Sequence, residues 1–283
     1  MNQEMQSVLE SISEQDVEDF WRDGAVALRG VIGDNWLELL AQGIEKTVER
    51  PTPYGRVQSK PEDPGWFFTD YYMWRQYAEF ETVARDGPGG VIAAKLLQSA
   101  SVNYFYEGLF LKEPGTVRAS DWHQDQPYYN VDGRQLCVLW IPLDAVTAET
   151  SLKVVRGSHT TGNWYQPTFF AQERVLDGAA ELFEPTPDVD ANPNDFDILS
   201  WALEPGDIIV FHPLSLHGAT GNPTATRRRA LQTVFLGDDC VYGERMVEVE
   251  PRIEGYPFKP GDRLNVESVF PAVWPRADMH TGG

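Results

Sequence analysis

His123 and Asp125, read together with the distant His217, constrain this chain more than any other feature. In a β-strand, residues i and i+2 project from one face. In Trp122-His123-Gln124-Asp125-Gln126 the imidazole and the carboxylate therefore point together and Gln124 points away. A third group must then arrive from a remote segment, which suits a sheet rolled back on itself. Two imidazoles and one carboxylate form the 2-His-1-carboxylate set that fills three positions on Fe(II) and leaves three open. Among the other histidines, His280 lies in the tail, His159 follows the turn residues Arg156-Gly157-Ser158, and His212 and His217 flank residues 213–216. His217 precedes Gly218, which lets the backbone approach a metal closely. An isolated His-x-Asp is more often a hydrogen-bonded strand histidine beside an acid, so the surrounding sequence has to decide.

Arg227-Arg228-Arg229 supplies that context. Three arginines in a row are ordinarily a solvated patch. In a strand, however, neighbours alternate faces, and Arg228 shares a face with Ala230. An inward guanidinium can pair bidentately with a carboxylate. That is the requirement of an enzyme whose iron is chelated by the 1-carboxylate and keto oxygen of 2-oxoglutarate, while the distal carboxylate needs a buried cation. The reading is Arg228 inward, Arg227 and Arg229 outward.

The 283 residues carry 23 Lys plus Arg against 43 Asp plus Glu, a net charge of -20. Such a chain repels nucleic acid and anionic membrane surfaces and tolerates a neutral or cationic small molecule better. Two cysteines, Cys137 and Cys240, do not make a disulfide framework. No secretory leader and no apolar run of membrane-spanning length is visible. The expectation is a cytoplasmic protein.

Ser13-Glu14-Gln15-Asp16 reads as a capping box opening a helix that ends at Asp23-Gly24. Asp34 is expected to cap a second helix, and another is expected over residues 90–99. Residues 54–75 read as an aromatic loop, either a satellite cluster or a lid. Strands are expected at 102–111, 136–143, 152–155, 207–211, 228–236 and 245–249, punctuated by turns. Residues 185–197, rich in proline, aspartate and asparagine, read as a surface insertion. The fold class is mainly β with flanking helices, a double-stranded β-helix or jelly roll. One domain over residues 1–283 accounts for the pattern. It has a helical layer at about 13–100, a jelly-roll core at about 102–250 and an extension at 251–283. Residues 241–283 could wrap the domain, close the pocket or support a homodimer.

In this order, these motifs resemble the phytanoyl-CoA dioxygenase family of Fe(II)/2-oxoglutarate oxygenases over roughly residues 13–240. Phe20-Trp21-Arg22-Asp23-Gly24 looks like its F-x-x-D-G signature, and Trp122 to Gln126 like its metal strand. Residues 140–144, 152–159 and 205–211 resemble its later strands, and Arg228 follows His217 at the family spacing. The resemblance implies Fe(II) held by His123, Asp125 and His217, 2-oxoglutarate paired with Arg228, and Trp140 lining the co-substrate pocket. It implies consumption of O2 and release of succinate and CO2 as an unactivated C–H bond is oxidised. There are departures. Thr150-Ser151 stands where a glycine is frequent, Arg156 replaces a common proline, and Ala219 stands where many members place a serine that supports the co-substrate, with Thr220 as a substitute. Asp125 separates the chain from related halogenases, which carry a small residue there.

For the substrate, Trp74, Trp122, Tyr128 and their aromatic neighbours offer a wall for stacking or cation–π contact, and Gln124 is a polar candidate. A small, ring-containing metabolite fits this composition better than a CoA thioester. Two other readings stay open at this stage: a catalytically silent jelly-roll binding module, and a cupin-type metal enzyme that does not use 2-oxoglutarate.

Overall fold

The computed structural model describes residues 2–169, 174–175, 179–245 and 253–275. Two antiparallel sheets enclose a cavity, as in a jelly roll. The larger sheet runs Ala25–Leu28, Ile208–Phe211, Leu136–Pro142, Arg228–Leu236, Val102–Lys112, Phe67–Tyr71, Arg56–Val57, and Ala272–Trp274 adds a further pairing to Val102–Lys112. The smaller runs Ile198–Leu199, Leu152–Val155, His217–Ala219, Ser120–His123.

Period-two side-chain alternation assigns the faces of the larger sheet. Along Arg228–Leu236, the side chains of Arg228, Ala230 and Gln232 line the inner cavity. Thr233 and Phe235 face a second, apolar cavity beneath the helices, beside Trp36, Leu40 and Ala84. Leu136–Pro142 lies between two strands and beneath both layers, and every one of its residues is buried. Buried on both faces, it reads as a continuous apolar run rather than an alternating one.

The helices cover the outer face. Glu14–Asp23 opens with the expected capping box of Ser13 and Asp16 and closes at Gly24, whose φ of 82° only glycine adopts freely. Asp34–Glu49 corrects one expectation. Gly33 is the cap, without a side-chain bond, and Asp34 is the first helical residue, where its charge complements the helix dipole. The helix expected at 90–99 is Gly89–Leu97, ended by Gln98 in the left-handed region. Gln3–Ser11, a helix the sequence reading missed, is capped by the side chain of Asn2.

Residues 54–75 are not one continuous loop. Arg56–Val57 and Phe67–Tyr71 extend the larger sheet, and Met73–Arg75 forms a 3₁₀ turn. Phe67–Tyr71 pairs with Val102–Lys112, a partner remote in sequence, so no local signal announces it. Of the strand expected at 245–249, Arg245 is not in a strand and 246–249 lie outside the described residues. One apolar core runs from Met5 to Val273. Among the described residues, no helix is long and apolar enough to cross a membrane.

Candidate active site

The smaller sheet brings the three ligands together. His123 pairs directly with His217, while Ser120 pairs with Ala219, so an extra residue bulges out of the Ser120–His123 strand. The bulge lets Ser120 and His123 both face the cavity although they are an odd number of residues apart. The strand stops at His123. Asp125 lies in the turn beyond it, where the backbone N–H groups of Asp125 and Gln126 both donate to the Pro213 carbonyl, at 2.8 and 3.1 Å. That contact folds the turn against the segment leading to His217.

Ligand atoms of His123, Asp125 and His217 all lie within 4.8 Å of one another. Asp125 Oδ1 is 3.2 Å from His123 Nε2 and 3.5 Å from His217 Nε2. His123 Nδ1 is 2.7 Å from the Asp121 carbonyl and His217 Nδ1 is 2.9 Å from the Ser215 carbonyl. A carbonyl only accepts, so each Nδ1 carries the proton and each Nε2 presents a lone pair to the shared space. This is how metal-binding histidines are oriented. Burial pushes the His217 imidazole down to about 4, which keeps it in the neutral, ligating form. Asp125 is held below its ordinary range: burial opposes ionisation, but the imidazoles of His217 and His123 outweigh it. The donor set therefore fits a divalent iron with positions left open.

His159 and His212 take no part. His159 and His212 pack together at a ring distance of 5.3 Å. Burial lowers His212 to about 3. Their neighbour Gly24 leaves no space for a Cβ, which would meet His159 Nδ1 and Ser215 Oγ at 2.5 Å. The F-x-x-D-G glycine thus docks the helical layer onto the turn that precedes His217. His280 lies outside the described residues.

Deeper in the same cavity sit Arg228 and, directly opposite in the neighbouring strand, Lys112. Arg228 donates to the carbonyls of Thr150 and Thr220, the latter at 2.7 Å. Lys112 Nζ lies 3.0 Å from the Thr220 carbonyl and 3.3 Å from Ser120 Oγ, and stands 4.3 Å from the Phe67 ring centroid. Burial, then the nearby Arg228 charge, drives the Lys112 ammonium well below its ordinary range; burial alone lowers Arg228 to about 10. Two buried cations facing each other form a site for an anion. Arg227 and Arg229 point outward and pair with Glu113 and Asp144. Lys112 was missed because it ends a strand of mostly apolar and aromatic residues. Its position opposite an inward arginine depends on a register that sequence does not display.

The other candidates separate. Trp140 lines the cavity and pairs in register with Gln232. Thr220 contributes its carbonyl to the cations, whereas its hydroxyl turns away to the Glu149 carbonyl. Tyr128 stands edge-on to His123 at 6.2 Å, and its hydroxyl is bonded to the backbone of Thr168. Three of the substrate candidates fall outside this cavity. Gln124 is 1% exposed and its amide is spent on the backbone of Asn163, Leu214 and Tyr165, so it straps a loop to the metal strand. Trp122 packs beside Val155 and Leu216 and donates to Asp190. Trp74 lies beyond the larger sheet, edge-on to Tyr104. Neither tryptophan lines the cavity.

Similar solved structures extend over most of the chain. The non-heme alpha-ketoglutarate-dependent carbocyclase SnoK from nogalamycin biosynthesis superposes with a TM-score of 0.72 at 19% identity, covering 94% of this chain and 98% of that one. The epimerase SnoN, in complex with Fe3+, alpha-ketoglutarate and nogalamycin RO, gives 0.71 at 18% identity over 95% and 99%. EctD from S. alaskensis, with 2-oxoglutarate and 5-hydroxyectoine, gives 0.61 at 19% identity over 80% and 77%. At these identities the likeness is one of fold. A probable phytanoyl-CoA dioxygenase of Caenorhabditis elegans is 27% identical over 126 residues, a match spanning 42% of this chain but only 37% of that relative's length. Residues 20–230, which include the whole ligand set and Arg228, match the family model of phytanoyl-CoA dioxygenase (PhyH), and the chain belongs to that family.

Proposed function

We propose that this protein is an Fe(II)- and 2-oxoglutarate-dependent dioxygenase that oxidises an unactivated C–H bond of a small, ring-containing metabolite. The observation that carries the reading is the sharing of one cavity by His123 and His217, with Asp125 bonded to its wall, and by the inward pair Arg228 and Lys112. A binding module has no use for both a three-ligand cluster and a buried double cation.

His123, Asp125 and His217 hold the iron, which together with 2-oxoglutarate supplies the activation of dioxygen, with succinate and CO2 as by-products. Arg228 and Lys112 take the distal carboxylate of the co-substrate, and Ser120 Oγ, beside Lys112, stands in for the serine that Ala219 replaces. Phe110, Trp140, Leu152 and Ala230 form apolar walls that keep water from the bound dianion, which strengthens its pairing with both cations. Tyr128, a residue of the expected aromatic wall, stands edge-on to the metal ligand His123. The net charge of -20 favours a neutral or cationic substrate over a polyanionic one. A ring-containing substrate also agrees with nogalamycin RO and 5-hydroxyectoine, which accompany two relatives of this fold. Cys137 and Cys240 are both free and buried, which suits a reducing compartment.

The test is anaerobic visible absorption during addition of Fe(II) and then 2-oxoglutarate, with Arg228→Ala alongside. A charge-transfer band that needs both additions and weakens in the variant supports the assignment. Folded, iron-binding wild-type protein without the band overturns it.

A further inference from the structure

Of the three ligands, only the carboxylate can bind a metal through one atom or two. Its two oxygens are treated differently here. Asp125 Oδ1 faces both imidazoles, at 3.2 and 3.5 Å. Asp125 Oδ2 instead accepts the side-chain N–H of Gln232, at 2.8 Å. Gln232 belongs to the larger sheet, on the Arg228–Leu236 strand, whereas Asp125 follows a strand of the smaller one. The bond therefore crosses the cavity from one sheet to the other. Gln232 is 7% exposed and Asp125 is 5% exposed, so water does not compete freely for the contact. Trp140 pairs in register beside Gln232 and lines the same cavity. The Tyr129 hydroxyl lies at the same carboxylate and is itself bonded to the Tyr106 hydroxyl at 2.7 Å, which stiffens the far side.

We propose that Gln232 is a positioning residue of the metal centre. Its amide holds Asp125 to ligation through Oδ1 alone and keeps free the coordination position a second carboxylate oxygen would occupy. The inference rests on the iron and 2-oxoglutarate reading above and assigns it a residue outside the ligand set. It also explains a feature of the strand: Arg228 and Gln232 share one face, roughly 13 Å apart along it at about 3.3 Å per residue. One rigid element therefore carries both the grip on the distal carboxylate and the clamp on the metal carboxylate.

The test uses Co(II) as a spectroscopic probe in the full chain without turnover, comparing wild type with Gln232→Met, which keeps length and loses the donor. The methionine variant is expected to bind Co(II) about 10-fold or more weakly, within the range for loss of a group that orients a ligand. Its d–d spectrum should differ from wild type before 2-oxoglutarate is added and respond less to the addition. Arg228→Ala should keep the wild-type Co(II) spectrum and lose only the response to 2-oxoglutarate. A melting curve of the metal-free variant establishes that it is folded, and Gln232→Leu replaces it if it is not. Wild-type Co(II) affinity and spectrum in either folded variant would overturn the role of Gln232 while leaving the oxygenase reading intact. Failure of wild-type protein to bind Co(II) would overturn both.

Discussion

Lys112 and Arg228 stand directly opposite each other on neighbouring strands, face the same cavity, and both bond to the carbonyl of Thr220. Like charges so placed are unfavourable without an anion between them. Lys112→Met should therefore leave the metal-free protein as stable as wild type or more so, because it removes a desolvated, repelled ammonium. It should also raise the KM for 2-oxoglutarate by about 10- to 100-fold, the worth of one charge-assisted hydrogen bond. Thermal melting and steady-state kinetics read the two halves separately. A destabilised variant with unchanged KM would place Lys112 in the framework alone.

The same pair sets a pH dependence. Burial and Arg228, with a smaller push from Arg118, lower the Lys112 pKa, while Asp121 opposes them. The charged form, which pairs with a carboxylate, is thus lost at a lower pH than for an ordinary lysine. Affinity for 2-oxoglutarate should weaken as pH rises in wild type and stay flatter in Lys112→Met. Binding measured by tryptophan quenching across pH, with metal concentration saturating, checks the slope.

Gly24 is the joint between the helical layer and the turn leading to His217. Its φ of 82° and the absence of room for a Cβ act together. Gly24→Ala should destabilise the fold by roughly 2–4 kcal/mol, through left-handed backbone strain plus overpacking against His159 and Ser215. Urea denaturation measures it, and a change under 1 kcal/mol would show that the neighbours yield.

Glu107 is fully buried on the larger sheet, where it accepts the Tyr104 hydroxyl at 2.7 Å and the Trp74 backbone N–H. Burial raises its pKa to about 7, against hydrogen bonds from Tyr104 and Trp74 that lower it. A carboxyl raised in the folded state stabilises fully below its unfolded value of about 4.5, and that contribution is lost as pH rises through about 7. Glu107→Gln should abolish this component, worth about 3 kcal/mol at about 1.4 kcal/mol per pKa unit. Unfolding of both proteins from pH 4.5 to 8 isolates it by difference. Parallel stability curves would refute the assignment.

Much of the site was legible because its signals are local. The glycine after His217 and the alternation that turns Arg228 inward are readable within a few residues; the His-x-Asp pair is too, although Asp125 projects from a turn beyond the strand rather than from the strand face that the spacing predicts. The capping box at Ser13 and the glycine stop at Gly24 are likewise local, set by the chemistry of helix ends. Errors arose where the deciding partner was remote. Trp74 and Trp122 are aromatic residues near the right motifs, but one lies beyond the larger sheet and the other packs beside Val155 and Leu216. Gln124 sits between two ligands, yet its amide is consumed by the backbone of Asn163, Leu214 and Tyr165.

From the sequence alone come the ligand types, their order, the inward face of Arg228 and the family. These depend on residue chemistry and on spacings within one element. Only the tertiary structure decided that Lys112 opposes Arg228, that a bulge turns Ser120 into the cavity, and that Gln232 reaches across to Asp125. Each is a matter of register or of sheet-to-sheet distance. Strand pairing matches residues far apart in the chain, and a one-residue slip would reverse every face.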